Sequence, residues 1–249
     1  MPEGDTIFRT ARTLQRALAG QVVTGFETQL PKLARVDYDH PIAGRTVESV
    51  SASGKWLLIK FSGDLVLLTH MLMSGSWHIY RPGEKWQRGR DHMRIVISTA
   101  NIIAVAFNVP VAEFHTESSL ARRPGFNRLG PDILVDSFDH LEIPPDLEIG
   151  VALVDQSIVA GIGNMFKSEI CFLAGVNPFR RAGDLTRVEV QSLVSIAREV
   201  LKKSAEFGRN RLWVYHRAGE PCRKCGAVIL TRKQGPDARV TFWCPICQV

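Results

Sequence analysis

The chain has 249 residues, 45% of them hydrophobic and 22% charged, which supplies one large core or two ordinary ones and excludes a disordered polymer. No window approaches the roughly 18 uninterrupted apolar residues of a membrane span, and the start, Met1-Pro2-Glu3-Gly4-Asp5-Thr6, lacks the basic-then-apolar pattern of a secretory signal, so a cytoplasmic protein is expected. The net charge of +6 is uneven: residues 178–249 carry 14 Lys and Arg against 6 Asp and Glu, whereas residues 1–177 carry 17 against 19, a distribution compatible with polyanion binding by the C-terminal third or with an ordinary solvated face.

In chain order, Ile7, Ala11, Leu14 and Leu18 repeat at helical spacing, with Asp5 or Thr6 placed to cap the start and Gly20 to end it, which predicts a first helix over 6–19. From 22 to 107 the pattern changes to short β-rich runs at 46–51, 56–61, 65–70, 93–98 and 102–107. Turn signals such as Ser62-Gly63-Asp64 and Pro82-Gly83 separate them, as in an antiparallel sandwich or barrel. Pro124-Gly125, Gly130-Pro131 and Pro144-Pro145 then punctuate a stretch of weak periodicity, where a domain boundary belongs. Beyond it, 151–157 predicts a short helix and Gly161-Ile162-Gly163 a tight turn. A second helix over 164–174 is ended by Asn177-Pro178. Thr186 and Glu189 form a capping box before Val190, Leu193, Val194, Ala197, Val200 and Leu201, the apolar stripe of a long helix.

Cys222-x2-Cys225, eighteen residues, then Cys244-x2-Cys247 is the spacing of a four-cysteine zinc ribbon, since each Cys-x2-Cys turn aims two thiolates at one tetrahedral ion. Two disulfides fit less well in a chain without a secretory signal. The final 30 residues cannot bury a core of their own, so the metal is expected to supply folding energy. Arg232, Lys233 and Arg239 lie between the cysteine pairs and suggest a hairpin laid on phosphates. Cys171 falls inside a helix and reads as a buried small hydrophobe.

Seven stretches, in order, resemble the formamidopyrimidine-DNA glycosylase and endonuclease VIII family: Pro2 to Thr6, Ser53-Gly54-Lys55, His70 to Gly75, Arg128 to Pro131, Gly161 to Asn164, Val214 to Gly226 and Arg239 to Gln248. The resemblance implies an α+β fold: an N-terminal helix on an antiparallel β-sandwich (residues 1–133), a central helix-two-turn-helix domain (134–219) and a C-terminal four-cysteine zinc finger (220–249). The Gly4-Asp5-Thr6 continuation resembles the endonuclease VIII branch, because the formamidopyrimidine branch has Leu-Pro-Glu there, and so favours oxidised pyrimidines as substrates. Asn108 to Phe114 likewise stands where that other branch has an Arg-Arg-Phe-Gly stretch.

The resemblance implies a bifunctional glycosylase and lyase acting as a monomer on double-stranded DNA with damaged bases or abasic sites. Removal of Met1 would expose Pro2 as a secondary amine, and an α-amino group titrates near ~8, so a usable fraction is unprotonated at neutral pH. Glu3 matches the family's catalytic acid and Lys55 its phosphate-contacting lysine, against the plain alternatives of a helix-start acid and a surface lysine. On the DNA side, Asn164 and Arg239 match the pair that grips phosphate, aided by free backbone N–H groups of the Gly161-to-Asn164 turn. Met73 matches a wedge that fills the gap left by the extruded nucleotide; its alternative is a buried strand methionine. Lys167 and Glu169 match positions facing the active site, or are ordinary exposed helix residues. Two other functions remain open at this point: removal of oxidised purines, and non-catalytic lesion binding.

Overall fold

The computed structural model describes residues 2–138, 141–208 and 211–249. They form two compact units, one of Pro2 with 6–127 and one of 3–5 with 128–249.

In the first unit, helix α1 (Gly4–Leu18) turns Ile7, Ala11, Leu14 and Leu18 inward, each at most 3% exposed. The helix starts two residues earlier than expected, with Asp5 inside its first turn. The remaining elements are strand β1 (Val23–Thr28), helix α2 (Pro31–Asp39) and strands β2 (Val47–Ser53), β3 (Trp56–Phe61), β4 (Leu65–His70), β5 (Ser76–Tyr80), β6 (Met93–Thr99), β7 (Ile103–Phe107) and β8 (Val111–His115), then a one-turn helix α3 (Glu117–Leu120). The strands make two antiparallel four-stranded sheets, ordered β1-β6-β7-β5 and β2-β3-β4-β8. Their facing side chains, with the inner face of α1, form one core that includes Leu57, Ile59, Phe61, Leu67, Ile95 and Ile97. Strand β4 is buried on both faces, because Val66 and Leu68 turn the other way and are covered by Leu120, Trp56, Leu58 and Phe126.

All five expected strands are present. Three further strands and α2 were not foreseen. Strand β1 carries a register shift near Gly25 that breaks alternation, β8 is half-buried at every position, and α2 buries Leu33 alone.

In the second unit, helix α4 (Ile149–Ala152) is shorter and earlier than the expected 151–157. Asp155 Oδ1 accepts hydrogen bonds from the Ser157 N–H (2.9 Å) and hydroxyl (2.7 Å), a local turn that replaces helix continuation. Helix α5 (Asn164–Ala174) closes on Gly175 at φ +71, and α6 (Arg187–Phe207) opens on the reciprocal Thr186–Glu189 capping box. One core packs α4, α5 and α6 together through Ile149, Phe166, Ile170, Leu193, Ala197 and Leu201. Strands β9 (Leu230–Gln234) and β10 (Arg239–Trp243) form the C-terminal hairpin. It is tied to α5 by a second cluster of Phe172, Val214, Ile229, Phe242, Cys222 and Cys244, so α5 is covered on both sides. Among the described residues, no helix is long and apolar enough to cross a membrane.

Candidate functional site

Glu3 is 1% exposed and sits at the N-terminus of α5. Its Oε2 accepts the N–H groups of Gly163 (3.1 Å) and Phe166 (3.3 Å), and its Oε1 that of Met165 (2.9 Å). An anion is favoured there, because first-turn amides have no partner within the helix and their dipoles point at it. The glycines are steric requirements. A Cβ on Gly163 would lie 2.2 Å from the Glu3 carboxyl carbon, and one on Gly4 would lie 2.6 Å from the Gly161 carbonyl that accepts the Gly4 N–H at 2.8 Å. Amides of the Gly161-to-Asn164 turn were expected to be free for a phosphate; in the structure Gly163 of that turn donates to Glu3 and Gly161 to Gln156 Oε1 at 3.0 Å, while Met165 and Phe166 beyond it complete the hold on Glu3.

Asn164 Nδ2 donates to the Val240 carbonyl at 2.9 Å, joining α5 to β10, while its buried Oδ1 has no hydrogen-bond partner among the described residues. Lys167 and Glu169 are buried, at 1% and 3% exposure, so neither is an ordinary exposed helix residue. Lys167 Nζ donates to Thr241 Oγ1 (2.6 Å), whose hydroxyl donates to Gln234 Oε1 (2.8 Å). Gln234 Nε2 in turn donates to Glu148 Oε2 (2.9 Å) and to the Pro178 carbonyl (2.8 Å). Burial pushes the Lys167 ammonium down to about 8, and Arg239 adds to the depression. Lys167 and Arg239 line one cavity of about 270 Å³ together with Gly150, Asp155 and Gln156. Arg239 pairs with Asp237 at its rim (2.9 Å). Glu169 accepts the N–H groups of Trp213 (2.8 Å), Val214 (3.0 Å) and Tyr215 (2.8 Å). Both of its oxygens therefore fasten the segment entering the four-cysteine module.

Cys222, Cys225, Cys244 and Cys247 bring their sulfurs within 4.8 Å of one another. The Cys222–Cys247 and Cys225–Cys244 separations are 3.9 and 3.4 Å. Thiolates bound at about 2.3 Å to a tetrahedral ion stand about 3.8 Å apart, so the cluster fits a metal ion. Cys171 is fully buried in α5 and its thiol is pushed up to about 12 by burial, as a small hydrophobe would be.

In the first unit, Pro2 is half-buried, and Lys55 follows Gly54 (φ +57) in the β2–β3 turn. Met73 is 68% exposed, in the turn after β4 and not in a strand, so the buried-methionine alternative is overturned.

Residues 1–110 match the formamidopyrimidine-DNA glycosylase N-terminal domain and residues 120–214 its H2TH domain. Over its full length the chain is 38% identical to a probable endonuclease 8 2 of Streptomyces coelicolor, covering 94% of that protein. It is 35% identical to the DNA-(apurinic or apyrimidinic site) lyase Nei2 of Mycolicibacterium smegmatis, covering 99% of it. The chain belongs to the formamidopyrimidine-DNA glycosylase and endonuclease VIII family. Its fold matches MutM bound to DNA containing carbocyclic 8-oxo-G, with a TM-score of 0.83 at 22% identity and both chains fully covered. It also matches the Lactococcus lactis formamidopyrimidine glycosylase on abasic-site DNA, with a TM-score of 0.84 at 23% identity over 99% of each chain.

Several polar residues of this family member escaped sequence reasoning. Glu113 holds Arg123 through two hydrogen bonds, Arg123 Nε to Oε2 (3.0 Å) and Nη2 to Oε1 (3.1 Å), and His115 Nε2 lies 2.9 Å from the same carboxylate. Those contacts hold the Glu113 carboxyl down at about 2. Gln234 and Thr241 were also missed. For Glu113 and Thr241 the available signal was a charged or polar residue inside an otherwise apolar run, as in Val111-Ala112-Glu113-Phe114; Gln234, after Thr231-Arg232-Lys233, offers no such signal.

Proposed function

We propose that this protein is a DNA glycosylase and abasic-site lyase that removes oxidised bases, pyrimidines above all, from double-stranded DNA and then nicks the strand. The observation that carries the proposal is the buried Glu3 carboxylate, fixed by three backbone N–H groups and covalently next to Pro2. The names and identities of the 35–38% relatives support the reaction class.

In this reading the Pro2 amine, freed by removal of Met1, attacks C1′ of the damaged nucleotide. The N-glycosidic bond breaks, the base leaves with a proton, and the sugar ring opens to a Pro2 iminium. That cation acidifies C2′, whose proton is lost as the 3′ phosphate is expelled; a second elimination expels the 5′ phosphate, and water releases Pro2. Glu3 is the proton carrier to the ring oxygen. Lys55 assists at a phosphate. Asn164, Arg239 and Lys167 serve the DNA side, and Met73 fills the gap in the stack. Glu169 acts at one remove, by fastening residues 213–215.

The four cysteines would hold one zinc ion. With four thiolates its shell is complete, so when bound it supplies folding energy and not an activated water. The protein works as a monomer in the cytoplasm. The test is incision of duplexes carrying 5,6-dihydrothymine or 8-oxoguanine. Preferential release and nicking at dihydrothymine is expected; preference for 8-oxoguanine would favour the purine reading, and binding without release the non-catalytic one.

A further inference from the structure

Asp5, in the Gly4-Asp5-Thr6 continuation that resembles the endonuclease VIII branch, has no part in the chemistry just described. The structure does not leave it at the helix cap. It sits inside the first turn of α1 at 6% exposure, and its Oδ2 accepts the hydroxyl of Ser204 at 2.5 Å. Ser204 lies near the end of α6 and is itself 4% exposed. Of the residues that α6 buries it alone is polar, the others being Leu193, Val194, Ala197, Leu201 and Ala205. A hydroxyl and a carboxylate therefore meet where helix packing alone would use apolar side chains.

An acid in the first turn of a helix is stabilised by the helix dipole whether or not a hydroxyl touches it. Burying that acid is costly, and apolar residues of similar volume often pack at least as stably as a buried charge with its partner. What the polar pair adds is direction. Apolar contact is non-directional, whereas a charge-assisted O–H···O bond of this length fixes the separation of two atoms. The two residues before Asp5 are held in the same way. Glu3 accepts three amides at the start of α5, and the Gly4 N–H donates to the Gly161 carbonyl at 2.8 Å, an approach so close that a Cβ on residue 4 would clash with it. Glu3, Gly4 and Asp5 accordingly belong to the second unit, while α1 from Thr6 onward belongs to the first. Three consecutive residues are each pinned by a directional bond, and the residue before them is Pro2. A chain terminus frays unless it is tied down. An amine that must approach C1′ to about 3–3.5 Å loses about 10²-fold in rate for a misplacement of about 1 Å.

We propose that Asp5 and Ser204 are positioning residues for the nucleophile: the bond between them, with those of Glu3 and Gly4, holds the segment that follows Pro2 and so sets where its amine stands when C1′ is attacked. Neither residue touches the reacting atoms. This inference rests on the proposed base-excision function. It also separates Asp5 from a plain helix-start acid, because here the hydrogen bond is required and the charge is not.

The experiment uses the whole protein and an abasic duplex, from which no base has to leave. Borohydride quenches at successive times give the rate of iminium formation, and strand nicking in unquenched samples gives the rate of the elimination that follows. A duplex carrying a tetrahydrofuran residue, which forms no iminium, gives the affinity. Ser204→Ala is expected to slow iminium formation about tenfold or more, with elimination and affinity each within about threefold of wild type. Asp5→Asn, whose Oδ1 can still accept the Ser204 hydroxyl, is expected to form the iminium within about threefold of the wild-type rate. Iminium formation as fast in Ser204→Ala as in wild type would overturn the inference. So would parallel losses in formation, elimination and affinity, the mark of a merely structural role, or an Asp5→Asn as slow as Ser204→Ala, the mark of a charge acting on the helix dipole. Should Ser204→Ala not fold, Ser204→Cys, a weaker donor of similar shape, gives the same comparison: selective slowing of iminium formation supports the inference, and parallel loss overturns it. Wild type separates the two levels. No iminium from it would overturn the proposed function and this inference with it, whereas a wild-type iminium on Pro2 that Ser204→Ala leaves unchanged would overturn this inference alone.

Discussion

Glu3→Gln perturbs stability and chemistry together, and the structure gives the size of the first effect. The carboxylate accepts three amides, two at Oε2 and one at Oε1. A glutamine can keep its carbonyl oxygen toward Gly163 and Phe166, but its NH2 then faces the Met165 N–H and leaves that donor unpaired. Hydrogen bonds to a charged group contribute about 1.5–3 kcal/mol and neutral ones about 0.5–1.5. One lost bond of about 2 kcal/mol and two weakened by about 1 kcal/mol each give about 4 kcal/mol. At about 2–4 °C per kcal/mol for a protein of this size, the thermal transition of the second unit should fall by about 8–16 °C. Scanning calorimetry of wild type and variant measures it, and a fall below about 2 °C would refute the claim that the start of α5 is built around Glu3. At a temperature where the variant is folded, base release should drop by about 10²–10⁴, the usual worth of a positioned acid–base group, with DNA binding largely kept. Equal loss of release and binding would contradict the acid role.

Lys167 should make stability depend on pH in alkali. Its ammonium titrates near 10.5 when unfolded and about 8 when folded, so between those values the unfolded chain keeps a proton that the folded one has released, and stability rises with pH across that window. Lys167→Met should remove this rise and stabilise the protein at pH 7, seen as denaturation midpoints at pH 7 and 10; unchanged differences would show that the lysine is not held in this way. His70 and Glu113 act in acid. Both titrate lower in the folded state, at about 4 and about 2 against 6.5 and 4.5, so stability should fall as pH drops from 6.5 to 4 through His70 and from 4.5 to 2 through Glu113. His70→Asn should flatten the upper window alone and Glu113→Gln the lower. Chelation or Cys244→Ser should release one zinc per chain, displace β10 with Arg239 and weaken DNA binding, while far-UV circular dichroism is mostly kept. Trp213, stacked on Phe172 of α5, should report the change by fluorescence. Unaltered DNA affinity after zinc loss would refute the link between ribbon and grip.

The parts legible in the sequence were those set by local spacing. The α1 stripe, the Thr186–Glu189 box and the paired Cys-x2-Cys turns each lie within a few residues, and each appears in the structure. What the sequence hid depends on register and on what covers a helix. Glu113 meets Arg123 only because the chain turns back through α3 after β8, which no spacing rule encodes, whereas His115, two residues along the same strand, follows from strand periodicity once β8 is known. Lys167 and Glu169 left two readings open, positions facing the active site or a solvated face of α5, and the second fails because the hairpin cluster covers that side and the Glu169 partners lie 44 to 46 residues away. Apolar residues all around α5, from Met165 to Leu173, were the available sign of a helix buried on every side. The Gly161-to-Asn164 turn suggested amides for a phosphate, yet Gly163 in it, with Met165 and Phe166 beyond it, donates to Glu3 of the same chain, a partner about 160 residues away that no local spacing shows.

The nucleophile is the most direct test of the central claim. Borohydride added to the protein and a dihydrothymine duplex reduces an iminium to a stable amine, and peptide mass spectrometry then locates the linkage. A cross-link on the amine of Pro2, in protein that has lost Met1, and its near disappearance in Pro2→Gly, is the predicted result; a cross-link on Lys55, or full activity in protein that retains Met1, would contradict the account.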